Sequence, residues 1–372
     1  MKIALVAPLA EPVPPILYGG TERVVSTLAD ELVAQGHDVT LFASGDSVTA
    51  AKLVPCCERA LRLNPRVRDQ LPYHVVMMDE VRRRADDFDI LHFHTDCIHY
   101  PLVAALPTPT LTTLHGRLDS PDLLPLFARF SSVPLVAISN SQRSQLPQAN
   151  FVATIYHGLR NGRMRLTPVP KGDYLAFLGR ISPEKGPDRA IEIARRVGIP
   201  LKIAAKVDRA DLDYWNERIR PMIARSPDVE FIGEITDQEK SAFLGNALAL
   251  LFPINWPEPF GIAMIESMAC GTPVLAFRCG SVPEIVDHGL TGWIVNSVDQ
   301  AAAEMERVLS LDRLAVRRGF ERRFTADRMA RKYVETYRRL IAAWPTHASE
   351  INESAAFYTP MGSDALSQRG TG

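Results

Sequence analysis

Short apolar runs rich in Val, Ile and Leu alternate with longer stretches of helical spacing through most of the chain. A short β-branched run bounded by turn signals and followed by a one-sided apolar stripe reads as a parallel strand with its crossover helix. That repetition restricts the chain to an α/β fold assembled from βαβ units. Two series separate. Strands are predicted at 3–6, 39–42, 90–93, 110–114, 135–138 and 152–155, then at 174–178, 201–204, 229–232, 249–252, 274–276 and a shorter 293–295. In the first helix Val24, Val25, Leu28, Leu32 and Val33 form a stripe, Thr21 is expected to cap it, and Gly36 stops it. Residues 159–173 (LRNGRMRLTPVPKGD) lack periodicity and read as the linker between two domains. The expected organisation is a first domain over 1–165, a second over 171–325, a terminal helix over 326–345 packing back on the first domain, and a disordered tail over 346–372.

Composition narrows the function. The 372 residues carry 42 Lys+Arg against 43 Asp+Glu, and neither half is basic, with 16 against 16 over 1–170 and 26 against 27 beyond. Polynucleotide binding draws most of its affinity from phosphate neutralisation, so this balance argues against a nucleic-acid partner. The five cysteines, Cys56, Cys57, Cys97, Cys270 and Cys279, form no C-x-x-C pair and read as reduced thiols of a cytoplasmic protein. No apolar run approaches the roughly 18 residues that suggest a membrane span. The dinucleotide fingerprint, the P-loop, H-E-x-x-H and G-x-S-x-G are all missing from the sequence. Two D-x-D pairs, Asp87/Asp89 and Asp211/Asp213, read as capping and surface carboxylates rather than as metal ligands.

Three motifs remain. Tyr18-Gly19-Gly20-Thr21-Glu22-Arg23 sets paired glycines ahead of a helix start, where backbone N–H groups face an anion. Gly179-Arg180-Ile181-Ser182-Pro183-Glu184-Lys185-Gly186 follows the first strand of the second domain, and its two cations sit on a loop able to converge on one phosphate group. The balanced total charge thus conceals a small local concentration of positive charge at Arg180 and Lys185. In the third, Glu258 lies in the loop after 249–252 and Glu266 two turns into an otherwise apolar helix, where an unpartnered carboxylate is costly. Two such acceptors suit a polyhydroxylated ligand.

Together, the E-P-F-G…E pattern, the G-R-x-x-x-x-K-G loop and the Gly-Gly loop resemble those of the retaining GT-B glycosyltransferases, group 1, over about residues 1–345. The resemblance implies two Rossmann-like domains facing a cleft, the first binding the acceptor and the second a nucleotide sugar, with no cofactor or metal required. It implies that Arg180 and Lys185 clamp the diphosphate and that Glu266 binds the ribose. Glu258 and the backbone amides of Phe260, Gly261 and Ile262 hold the transferred sugar, while Gly19 and Gly20 let the first domain close over the phosphates. His115 orients the sugar in this scheme, and His94 and Asp96 are acceptor-side candidates, with Ser139 and Asn140 behind them. The catalytic set expected is Glu258, His115, Arg180 and Lys185. With no obvious carboxylate base in the first domain, retention by front-side attack is expected. The acceptor is a hydroxyl on a sugar, glycan, lipid or small molecule. A non-catalytic nucleotide-sugar-binding protein and a sugar-nucleotide epimerase are the alternatives on the same fold. The cluster Arg313, Arg317, Arg318, Arg322, Arg323, Arg328, Arg331, Lys332, Arg338 and Arg339 admits peripheral membrane contact, although a solvated helix face is the plainer reading.

Overall fold

The computed structural model describes residues 1–16, 19–103, 106–160 and 162–344; Tyr18, Asn161, Pro345 and the expected disordered tail lie outside them. The first sheet comprises β1 (Lys2–Val6), β2 (Asp38–Ser44), β3 (Lys52–Cys57), β4 (Ile90–Phe93), β5 (Thr110–Thr113), β6 (Leu135–Ala137) and β7 (Phe151–Thr154). The second comprises β8 (Leu175–Arg180), β9 (Leu201–Lys206), β10 (Val229–Gly233), β11 (Ala249–Phe252), β12 (Val274–Phe277) and β13 (Gly292–Val295). Every pairing is parallel, in the orders β3-β2-β1-β4-β5-β6-β7 and β10-β9-β8-β11-β12-β13. These are two Rossmann-like domains. Helices cover both faces of each sheet, which is why the central strands are apolar on both sides rather than alternating.

Strand β3 was not anticipated from the sequence. Its run KLVPCC contains Pro55, which cannot donate to a ladder and fits the sheet edge that β3 occupies. Thr21 does not cap the first helix. That helix begins at Gly20 behind Gly19, which makes no side-chain cap, and it ends at Ala34 ahead of Gly36. The last helix, Ala326–Ala343, lies against helix Gly20–Ala34, with Met329, Tyr333 and Tyr337 in the core beside Ile3, Leu5 and Leu28. The chain crosses between the domains twice, side by side: Leu159 N–H donates to Phe324 O at 2.9 Å and Ala326 N–H to Leu159 O at 2.9 Å.

Strand order reverses between β1 and β4 in one sheet and between β8 and β11 in the other. Neighbouring crossovers leave to opposite faces at such a point, which opens a crevice at the carboxyl ends of the strands. All three sequence motifs follow strands at these reversals.

Candidate active site

A cleft of about 710 Å³ lies between the two reversals. Its walls include Gly19, Gly20, His115, Arg180, Lys185, Glu258, Phe260, Gly261, Ile262 and Glu266, so residues drawn from loops over 240 positions apart meet in one place. His94 and Asp96 are not among the lining residues. Asp96 is exposed at a left-handed φ of 50°, and His94 is buried behind His115. Ser139 caps the short helix Asn140–Ser144 by accepting from Gln142 N, and Asn140 N–H donates to Glu284 of the second domain at 2.7 Å.

Gly19 has φ 152°, and a Cβ there would come within 2.7 Å of Pro15 Cβ, so the close turn into helix Gly20–Ala34 requires glycine. Gly261 precedes helix Ile262–Ala269 at φ 80°, where a Cβ would meet Met264 Cε at 2.6 Å. The amides of Phe260, Gly261 and Ile262 therefore gather at a helix start that borders the cleft.

Arg180 is the last residue of β8 rather than a loop residue, and it pairs with Glu184, with Asp208 at 3.7 Å and with Asp211 at 3.7 Å. Asp211 thus faces a cleft cation instead of solvent, whereas Asp89 accepts from Lys2 N at 2.8 Å. Lys185 is bonded to Glu258 and stands over the Trp256 ring, 4.6 Å from its centroid. The local concentration of positive charge expected at Arg180 and Lys185 is offset by carboxylates. Among the described lining residues are six cations and seven carboxylates, because cations in a partly enclosed crevice need counter-charges to offset lost solvation.

Glu266 is 3% exposed and accepts from Lys240 Nζ at 3.1 Å. Burial alone would raise its pKa, yet Lys240 and Arg23 hold it below the usual carboxylate range. Arg23 and Arg163 both pair with Asp237, which ties the first domain's helix start to the second domain. The cost of a carboxylate on an apolar helix is thus met by protein cations.

Behind His115 lies a packed group of imidazoles. His94 Nδ1 is 2.8 Å from His115 Nε2, while His94 Nε2 is buried with no partner among the described residues, and the His157 ring stacks on His115 with centroids 5.3 Å apart. Burial holds His94 and His157 well below the ordinary imidazole range and lowers His115 as well. All three are neutral at pH 7. A buried N–H without an acceptor is rarer than an under-satisfied acceptor, so the hydrogen-bond network assigns the His94 proton to Nδ1. His94 then donates to His115 Nε2, and His115 keeps its proton on Nδ1.

Glu11, Glu22, Arg62, His157, Lys206 and Lys240 also line the cleft, although no sequence motif assigns them a role. Glu22 sits within the Gly-Gly motif itself, three positions beyond Gly19, and His157 just ahead of the linker. Both were legible as polar residues at strand or helix ends. A first-domain carboxylate therefore does face the site.

A family model for glycosyl transferases group 1 matches residues 163–323, and one for glycosyltransferase family 4 matches residues 18–160. A phosphatidyl-myo-inositol mannosyltransferase of Propionibacterium freudenreichii subsp. shermanii is 27% identical over 350 residues, covering 84% of this chain and 86% of that protein. The crystal structure of a glycosyltransferase involved in avilamycin A biosynthesis is 26% identical with a TM-score of 0.70, covering 93% of this chain and 100% of that one. HepE of Anabaena, in complex with UDP and glucose, shares the fold at 19% identity and a TM-score of 0.69, covering 91% of this chain and 100% of that one. Two matched halves, two facing parallel sheets and a motif-lined cleft lead to one conclusion: the chain belongs to the group 1 glycosyltransferases, transferase enzymes of GT-B fold.

Proposed function

We propose that this enzyme moves a hexose from a nucleoside-diphosphate sugar to an acceptor hydroxyl with retention of configuration and without a metal. The convergence of Arg180, Lys185 and the helix start at Ile262 on one cleft carries this reading. As the bond from sugar C1 to the phosphate oxygen breaks, the diphosphate gains negative charge. Arg180 and Lys185 stabilise it in place, the role a divalent ion fills elsewhere. The acceptor oxygen bonds to C1 from the same face, and its proton passes to the departing phosphate oxygen. Glu258 with the amides of Phe260, Gly261 and Ile262 holds the sugar, Glu266 the ribose, and neutral His115 donates from Nδ1 to a sugar hydroxyl. Gly19 and Gly20 let the first domain approach the phosphates. HepE, similar in fold, binds UDP and glucose, and the same two ligand classes are assigned here. The reaction is placed in the cytoplasm, a reading supported by five unpaired cysteines.

A thermal-shift panel of nucleoside diphosphates and their sugars tests this. Wild type should be stabilised and Lys185→Ala should lose most of the shift, with transfer slowed on the order of 10² to 10³. An undiminished shift in the variant refutes the phosphate assignment.

A further inference from the structure

Facing the donor residues across the cleft, the first domain presents Glu11, Glu22 and Arg62, none of which the donor chemistry uses. They come from the loop after β1, the first turn of helix Gly20–Ala34 and the turn Leu61–Leu63. Backbone bonds clamp two of these segments together: Leu61 N–H donates to Leu9 O at 2.9 Å and Arg62 N–H to Ala10 O at 3.0 Å. Arg62 is ion-paired with Glu11, whose side chain is 5% exposed. Glu22 is only 6% exposed, packs against Gly19, and is met by backbone N–H groups of Glu22 itself and of Glu11. A carboxylate has roughly four acceptor sites, so one held by backbone amides and opening only on the cleft keeps capacity for a hydroxyl there.

The charge on this wall selects what that donor is. Arg62 is committed to Glu11, and Arg23 on the same helix is engaged with Asp237 and lies beside Glu266. Two carboxyl groups set against one paired guanidinium suit hydroxyl groups and repel an anion. Resting on the glycosyltransferase reading above, we infer that Glu11, Arg62 and Glu22 form the acceptor subsite, that it takes an uncharged polyhydroxylated acceptor, a sugar or polyol, and that Glu22 accepts a hydrogen bond from an acceptor hydroxyl.

Titration supports the geometry. Burial raises the Glu22 pKa to about 7 against the backbone N–H groups of Glu22 and Glu11, the nearby charge of Glu11 pushes it up further, and Arg62 opposes. The ionised form is the better acceptor, so acceptor kcat/KM should climb as pH passes through that value.

The test uses the full-length enzyme, the nucleotide sugar that stabilises it most, and acceptors offered in pairs: glucose and glucose 6-phosphate, myo-inositol and its monophosphate, glycerol and glycerol 3-phosphate. Within any pair that is used, the uncharged member should be favoured. Glu22→Gln should lower acceptor kcat/KM about tenfold or more, the scale of one hydrogen bond to a charged group. It should also flatten the pH step and leave the nucleoside diphosphate Kd unchanged. Preference for the phosphorylated members, failure of every uncharged one, or a Glu22→Gln enzyme with wild-type acceptor kinetics overturns the inference. Failure of wild type to bind any nucleoside diphosphate overturns the reading beneath it instead, so the two are told apart.

Discussion

His94 acts on the cleft without lining it. Its Nδ1–H fixes which nitrogen of His115 is left to donate, at the cost of an Nε2 without a partner among the described residues. His94→Leu removes that constraint, and His115 Nε2 is then free to carry the proton. Transfer should fall on the order of tenfold, matching one misdirected hydrogen bond. Nucleoside diphosphate binding should be unchanged, because Arg180 and Lys185 are untouched. Ring nitrogen shifts should report protonated Nδ1 at His115 in wild type and a mixture in the variant. His94→Asn, whose amide N–H reaches toward the same nitrogen, should recover most of the loss. A His115 protonated at Nε2 in the wild-type enzyme would contradict the assignment.

Among the helices, Arg313–Arg323 shows how a basic run is used from within. Arg313 is 9% exposed and donates to Thr167 O at 2.7 Å, Ala247 O at 3.0 Å, Gly245 O at 2.7 Å and Thr272 Oγ1 at 2.6 Å. Arg317 reaches Met164 O and Ala269 O, and Arg323 pairs with Asp287 and reaches the carbonyls of Ile285 and Glu284. Three members of the cluster considered for lipid contact thus clamp the linker and the second domain. Arg313→Met would take the donor from four acceptors, three of them in buried bonds. Loss of about 3 kcal/mol or more is expected, since truncating one partner of a buried charged network leaves the others unsatisfied. Chemical denaturation should show it as a lower midpoint.

For the molecule as a whole, the fully buried imidazoles set the acid limit. His92, His94, His99 and His157 are buried at 0 to 3% exposure, and burial holds each below the ordinary value of 6.5. Above pH 6.5 they are neutral in both folded and unfolded chains and contribute nothing to the pH dependence. Below it the unfolded chain takes up protons that the folded one refuses, so stability falls as pH falls. Each histidine removes up to about 1.4 kcal/mol per pH unit in that window. Glu22 works in the opposite sense, its raised pKa costing stability as pH rises from 4.5 through about 7, and desolvation raises Asp96 and Asp211 as well, but these are three carboxyl groups against four imidazoles enclosed in the core. Four histidines acting over about two pH units are comparable with an ordinary margin of roughly 5–15 kcal/mol. The Tm should drop steeply below pH 6; a Tm level from pH 7 to 5 would show that these rings accept protons in place. The domains meet at further ties that depend on the closed arrangement, including Glu284, which accepts from Asn140 N, from Ser141 N at 2.6 Å and from Tyr156 Oη at 2.9 Å.

Most of the strands were legible because a buried parallel strand has few ways to be written other than a β-branched apolar run. Strand β3 was not, since an edge strand is free to carry Pro55. The residues at the carboxyl ends of β1, β8 and β11 were also legible, because glycines at tight turns and charges beside apolar helices stand out against their surroundings. Local patterning along the chain is therefore enough to specify the α/β class, the two series of strands and the loops that bear chemistry. That Lys185 is held by Glu258 and Glu266 by Lys240, that His94 stands behind His115, and that Glu22 opens on the cleft emerge only once the chain is folded. Local patterning fixes which side chains leave the core, whereas counter-charges and hydrogen-bond partners come from segments distant in sequence that meet only when two sheets close on one another.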